Sequence, residues 1–159
     1  MKRIINVLLV AIVLTLVPAT YACAQWEYKG EYSEGLAVVM DSNRKFGFID
    51  KDGKVVIPCQ WKIVWDFSEG LAPVLDTNKW GYIDKTGKVV IPCQWELAKG
   101  FKEGLAPVLD ANKWGYIDKT GKVVIPCQWE HAGNFNEGLA IVMDANGMHT
   151  IDKTGKILD

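Results

Sequence analysis

Short apolar stretches alternate with turn residues along most of the chain. Leu71 to Leu75 is apolar and Asp76-Thr77-Asn78-Lys79 is polar. Trp80-Gly81-Tyr82-Ile83 is aromatic and β-branched, Asp84-Lys85-Thr86-Gly87 is polar again, and Val89-Val90-Ile91 runs into Pro92. Such brief runs, bounded by Asp, Asn and Gly, predict strands rather than helices. Asp84 suits the first position of a tight turn and Gly87 a left-handed residue after it. Pro92 has no N–H to donate and closes the last run. The pattern predicts a three-stranded antiparallel meander, followed from Trp95 to Glu103 by a less regular connector whose Phe101 packs inward. Pro73 and Pro107 fall inside the first strand of their meanders, so that position is expected at an edge or a bulge.

The same pattern recurs at a fixed period. Residues 70–103 and 104–137 align without gaps and differ at only five of 34 positions: Thr77/Ala111, Leu97/His131, Lys99/Gly133, Gly100/Asn134 and Lys102/Asn136. More diverged copies begin at Gly35 and Gly138. Trp26, Trp61, Trp95 and Trp129 mark the register and divide 26–159 into units 26–60, 61–94, 95–128 and 129–159, the last incomplete. A repeat of this length is one supersecondary unit that buries its apolar face only by stacking on its neighbours. The fold class expected is therefore all-β, an open curved array of meanders, with a closed propeller-like ring as the alternative.

The phrase Lys-Trp-Gly-Tyr-Ile-Asp-Lys-Thr-Gly-Lys-Val-Val-Ile-Pro, preceded by Glu-Gly-Leu-Ala, resembles the WG-repeat family, also called KWG repeats. The second and third units match it fully. The first carries Phe46 for Trp, and the fourth carries Met148-His149 for Trp-Gly. The resemblance implies a β-rich bacterial repeat, often exported or attached to other domains, and brings no catalytic residues to transfer.

The first 24 residues read differently. Lys2 and Arg3 precede the apolar run Ile4 to Val17, Pro18 breaks it, and Ala22-Cys23-Ala24 offers a small-x-small cleavage site. These are the three parts of a secretory signal peptide, 1–24. At about 1.5 Å per residue the run spans only ~21 Å of a ~30 Å hydrocarbon core, so no stable membrane span is expected after cleavage. The protein is expected in the periplasm or outside the cell. A lipoprotein anchored at Cys23 is the alternative, although Thr20-Tyr21-Ala22 is a poor match to such a motif.

Without Lys2 and Arg3 the chain has 16 basic and 19 acidic side chains, a net of −3, with the signs interspersed. A nucleic-acid partner, which needs clustered Lys and Arg, is not expected. Cys59, Cys93 and Cys127 occupy one repeat position. Equivalent positions in stacked meanders lie roughly 10 Å or more apart, whereas a disulfide needs Cα atoms within about 7 Å. Three unpaired thiols are expected. Nothing in their spacing supplies paired metal ligands, and no cofactor is expected.

Asp76-x-Asn78 and its copies lack the further ligands of a calcium loop. Asp50, Asp84, Asp118 and Asp152, one per unit, read as turn residues. His131 and His149 have no repeated partner, and no acid, base and nucleophile converge, so no enzyme is expected. What remains is a non-catalytic binding or interaction module whose partner is an unknown protein or an envelope glycan. Trp80 and Trp114 are expected in the core. Trp61, Trp95 and Trp129 form a second row that either belongs to the core or stacks on sugar rings. Four of the five differences between the twin units fall in the connector, where loops carry binding. Lys99, Lys102, His131, Asn134 and Asn136 are therefore candidates alongside that row.

The N-terminal reading is directly testable. Sequencing of the exported protein should begin at Gln25, and a mature chain that keeps Lys2 or starts at a lipid-modified Cys23 would overturn it.

Overall fold

The structure, a computed structural model, describes residues 26–158. The basic start, the apolar run and the expected cleavage site lie outside the described residues. Within them the chain forms fifteen strands in four antiparallel sheets that follow one another in sequence. The first sheet holds β1 (Tyr28–Ser33), β2 (Leu36–Met40), β3 (Phe46–Ile49) and β4 (Val55–Trp61). The second holds β5 (Ile63–Val64), β6 (Leu71–Asp76), β7 (Lys79–Asp84) and β8 (Val89–Trp95). The third repeats this with β9 (Leu97–Ala98), β10 (Leu105–Asp110), β11 (Lys113–Asp118) and β12 (Val123–Trp129). The fourth has β13 (His131–Ala132), β14 (Leu139–Asp144) and β15 (Gly147–Asp152).

The three strands expected of each meander are present. A fourth, two-residue strand comes from the connector: β5, β9 and β13 pair with β6, β10 and β14. Trp61, Trp95 and Trp129, the register marks, close their sheets rather than open the next. The proline in the first meander strand is accommodated at this short edge. Pro73 O accepts a hydrogen bond from Trp65 N at 3.0 Å. The imino nitrogen of Pro73 therefore also points toward the connector, past the end of β5, where no donor is required.

The core lies between sheets, not within them. β6 is buried along both faces. Ala72 and Val74 join Leu36, Val38, Phe48, Ile57 and Trp61 of the first sheet, whereas Leu71 joins Ala98, Phe101, Ala106, Val108 and Ile117 of the third. Leu105, Tyr116, Ile125 and Trp129 seal the third sheet against Ala132, Phe135, Ala140, Val142 and Ile151 of the fourth. The connector aromatics pack inward as expected. Phe67, Phe101 and Phe135 meet Phe48, Tyr82 and Tyr116 of the preceding sheet with ring centroids 4.8, 4.9 and 4.9 Å apart. The Tyr82 and Tyr116 hydroxyls donate to the carbonyls of Lys99 and Gly133 at 2.8 and 2.7 Å, and burial pushes both phenols well above their usual pKa.

At the start of the array Trp26 stands where Trp61 stands relative to the second sheet. It packs against Ala37, Val39 and Ile49, the face of the first sheet that in later sheets meets a predecessor. At the other end Leu139, Ile141 and Met148 are exposed, while their counterparts Leu105 and Pro107 are buried beneath a following sheet.

The Gly of each Trp-Gly pair is required by a close backbone approach. Register slips between β7 and β8 on both sides of Tyr82, where Pro92 interrupts the ladder. A Cβ on Gly81 would lie 2.5 Å from Ile91 O and 2.7 Å from Cys93 N, distances no side chain tolerates. Gly115 meets the same obstacle from Ile125 O at 2.6 Å. The Gly thus admits a neighbouring main chain. Cys59, Cys93 and Cys127, beside these bulges, are free, half-buried thiols whose pKa burial raises.

Polar contacts repeat with the same offset. Asp84 Oδ1 accepts from Thr86 N, Thr86 Oγ1 and Lys88 N at 2.8, 2.6 and 3.1 Å, closing the turn in which Gly87 has φ +85°. Between sheets, a Glu from each Glu-Gly turn reaches the next one. Glu34, Glu69 and Glu103 accept from the N–H of Gly70, Gly104 and Gly138 at 3.0, 3.0 and 2.9 Å. The same carboxylates pair with Lys85, Lys119 and Lys153 at 3.0, 3.2 and 3.1 Å. Each of these lysines also donates to its Glu carbonyl at 3.0 Å.

Two expectations follow. Trp95, only 6% exposed at the seam of the second and third sheets, should cost about 3–5 kcal/mol in urea unfolding when replaced by Ala. A loss below about 1 kcal/mol would remove it from the core. The second concerns acid. The Gly138 N–H, then Lys153, hold the Glu103 carboxyl below its usual range, and threonine hydroxyls do the same for Asp84, Asp118 and Asp152. Carboxyls depressed in the folded state stabilise it above their unfolded pKa, and this contribution is lost as pH falls through the folded values. The urea midpoint should therefore drop progressively below about pH 4, whereas a midpoint constant down to about pH 2 would contradict the arrangement.

Candidate aromatic groove

The connectors place one variable residue in the same setting three times. After each two-residue edge strand the chain turns so that Phe67, Phe101 or Phe135 enters the core. The residue two positions earlier is pinned by its main chain: Trp65 N donates to Pro73 O at 3.0 Å, Lys99 N to Pro107 O at 3.0 Å and Gly133 N to Ile141 O at 2.8 Å. The connector is irregular here, and although the following Phe is buried, Trp65 and Lys99 stay outside the core, beside the first large residue of the third strand of their sheet.

In the second sheet that residue is Trp65, which is 57% exposed. Its ring stacks on Trp80 at a centroid distance of 6.3 Å and an interplanar angle of 17°. Trp80 is buried, so one face of Trp65 is held against a fixed support while the ring remains open to solvent. In the third sheet the equivalent is Lys99. Its Nζ lies 4.8 Å from the centre of the Trp114 ring and donates to Ala132 O at 2.8 Å. Partial burial lowers the Lys99 pKa. In the fourth sheet Gly133 supplies no side chain.

These residues line a groove of about 510 Å³ across the second and third sheets. Trp65, Asp66 and Trp80 form one side, and Leu97, Ala98, Lys99, Gly100 and Trp114 the other. A second hollow of about 380 Å³ lies between the first and second sheets, lined by Tyr28, Val38, Met40, Phe46, Val64, Trp65 and Asp66. Trp65 and Asp66 belong to both, so the two hollows adjoin at this pair. Such a surface can bind by ring stacking, with an acceptor at Asp66 and a donor at Lys99.

The residues read from sequence fall in several places. Trp61, Trp95 and Trp129 are 8, 6 and 4% exposed, and their indole Nε1 atoms are buried without a hydrogen-bond partner in the protein. They present no ring face to a ligand. Lys99 lies in the groove. Lys102 and Asn136 sit at bridges to Leu105 and Leu139, His131 lies opposite Met143, and Asn134 is exposed. None of these four lines either hollow. Trp114, expected in the core, packs against it only in part and contributes to the groove wall. Trp65 escaped the sequence reading, because it is absent from the register rows. The available signal was its place two residues before an inward Phe, where the twin units carry Lys and Gly.

Comparison with known proteins agrees with the architecture. No curated protein matches the chain in sequence. Among solved structures, the computationally designed Ika8 protein aligns with a TM-score of 0.55 at 10% identity, over 81% of this chain and 46% of its own. The computationally designed Ika4 protein aligns with a TM-score of 0.50 at 8% identity, over 76% of this chain and 87% of its own. The chain thus spans less than half the length of the first and most of the second, and at these identities the likeness is one of fold. The profile of the WG-containing repeat matches three times in tandem, over residues 46–80, 80–114 and 114–147. The first two matches run from the position of one strand Trp to the next and the third from Trp114 to Gly147, and on this evidence the chain belongs to the WG-repeat family.

Proposed function

We propose that this WG-repeat protein is an exported, non-catalytic binding module that holds a glycan of the cell envelope in the groove beside Trp65. One observation carries the reading. Trp65 is a large exposed aromatic whose orientation is fixed by a buried partner, so a ligand meets a flat apolar ring that loses little freedom on binding. Asp66 and Lys99 flank that ring with an acceptor and a donor, which suits a ligand rich in hydroxyls and stackable on one face. An extended peptide is a poorer match. It would pair along a strand edge, and the edge strands at this groove, β5 and β9, are two residues long. The repeat fold and the family support a role in interaction. The N-terminal sequence of basic, apolar and cleavage segments supports export to the periplasm or beyond.

The test is retention on insoluble envelope material. Residues 25–159 with Trp65→Ala should keep their unfolding midpoint, with a change below about 1 kcal/mol expected for an exposed side chain. Retention should fall roughly tenfold or more, as expected when a central aromatic contact is truncated. Undiminished retention of a well-folded Trp65→Ala protein would overturn the groove as the site.

A further inference from the structure

The scaffold around the groove is constant while the residue presented on it changes. The same main-chain hydrogen bond fixes positions 65, 99 and 133, at 3.0, 3.0 and 2.8 Å. The side chains there are an indole, an ammonium and nothing. The following position changes as well, carrying Asp66, Gly100 and Asn134. From this we infer that the residue after each edge strand is the specificity-determining residue of its sheet, and that the ligand is an acidic glycan. A sugar ring packs on Trp65, and the carboxylate of the adjoining sugar lies at Lys99. The inference rests on the groove reading above and adds the chemistry and the order of the ligand's groups.

Three features fix that order. Trp65 offers a ring face for the C–H face of a pyranose, and the Asp66 carboxylate beside it repels an acid there while accepting from hydroxyls. Lys99 holds its ammonium over Trp114 and spends one N–H on Ala132 O. An ammonium has three donors, so two remain for a carboxylate. Gly100 takes the place of Asp66 in this section, so no acidic side chain stands next to Lys99 on its own connector. An acid is thus favoured at one section of the groove and disfavoured at the next. A neutral polymer would make no use of this difference.

The inference is tested by titrating residues 25–159 with two soluble probes of equal length. One is a hyaluronan oligosaccharide, which alternates glucuronate with N-acetylglucosamine. The other is a neutral chitooligosaccharide. The acidic probe should bind more tightly, and Lys99→Met should weaken it about tenfold, the scale of a hydrogen bond to a charged group. The same substitution should leave the neutral probe unaffected. Lys99→Trp, which adds a second indole, should strengthen the neutral probe and weaken the acidic one. Equal effects of Lys99→Met on both probes, or equal affinity for both in the unsubstituted protein, would overturn the inference. If neither probe binds while envelope retention still depends on Trp65, the acidic-glycan assignment fails and the groove stands. If retention is indifferent to Trp65, the groove reading itself fails.

Discussion

A sheet of four short strands has two apolar faces and no means of covering either. In this protein every interior sheet resolves that by lying between two others, and the rest of the structure depends on this mutual sealing. β6 and β10 are buried on both sides, so their sequences read as continuous apolar runs rather than as an alternation of apolar and polar residues. Burial removes apolar surface from water at about 25 cal/mol per Å², and here most of that gain arises at seams shared by two units. Stability is then approximately a sum of unit terms and nearest-neighbour seams. The Glu–Gly–Lys clamps follow the same rule, each tying one turn to the next unit, although as exposed ion pairs they contribute little compared with the seams.

The repeated Pro and Gly make the seams possible. Pro92 and Pro126 interrupt the last ladder of their sheets, and the strand they sit on presses its backbone against Gly81 and Gly115. Among the described residues the fourth sheet, which has His149 in place of this Gly, has no strand after β15 to press on it, and His149 Nε2 contacts Asp144 Oδ1 at 3.1 Å. Among the described residues no backbone approaches His149 as Ile91 and Cys93 approach Gly81.

Much of this was legible in the sequence. Turn residues at fixed offsets placed the strands, because Asp and Gly act locally through their own hydrogen bonds and backbone freedom. The inward connector aromatics Phe67, Phe101 and Phe135 were legible because they recur at one position of three successive units, whereas Tyr32, at that position in the first unit, is exposed. The edge strands β5, β9 and β13 were not, since two residues carry no periodicity and their pairing depends on where Pro73, Pro107 and Ile141 lie. The two Trp rows could not be separated by composition either. Trp80 and Trp95 face each other across the β7–β8 ladder and both are buried, whereas of the equivalent pair Trp129 is buried and Trp114 only in part, a difference that depends on the neighbouring sheet. Trp65 was hardest of all. It is a single departure at a position that tolerates Lys and Gly, and repetition, the strongest signal in this chain, directs attention away from it.

The position of the groove within the array has a dynamic consequence. In a one-dimensional stack, opening begins where a unit has one neighbour instead of two. Among the described residues the fourth sheet has three strands and an exposed apolar face, which makes it the natural place for amide protons to exchange first. Trp65, Trp80, Lys99 and Trp114 belong to the second and third sheets, each flanked on both sides. Fraying of the terminal sheet can therefore come and go on its own timescale without dismantling the surface that meets a ligand.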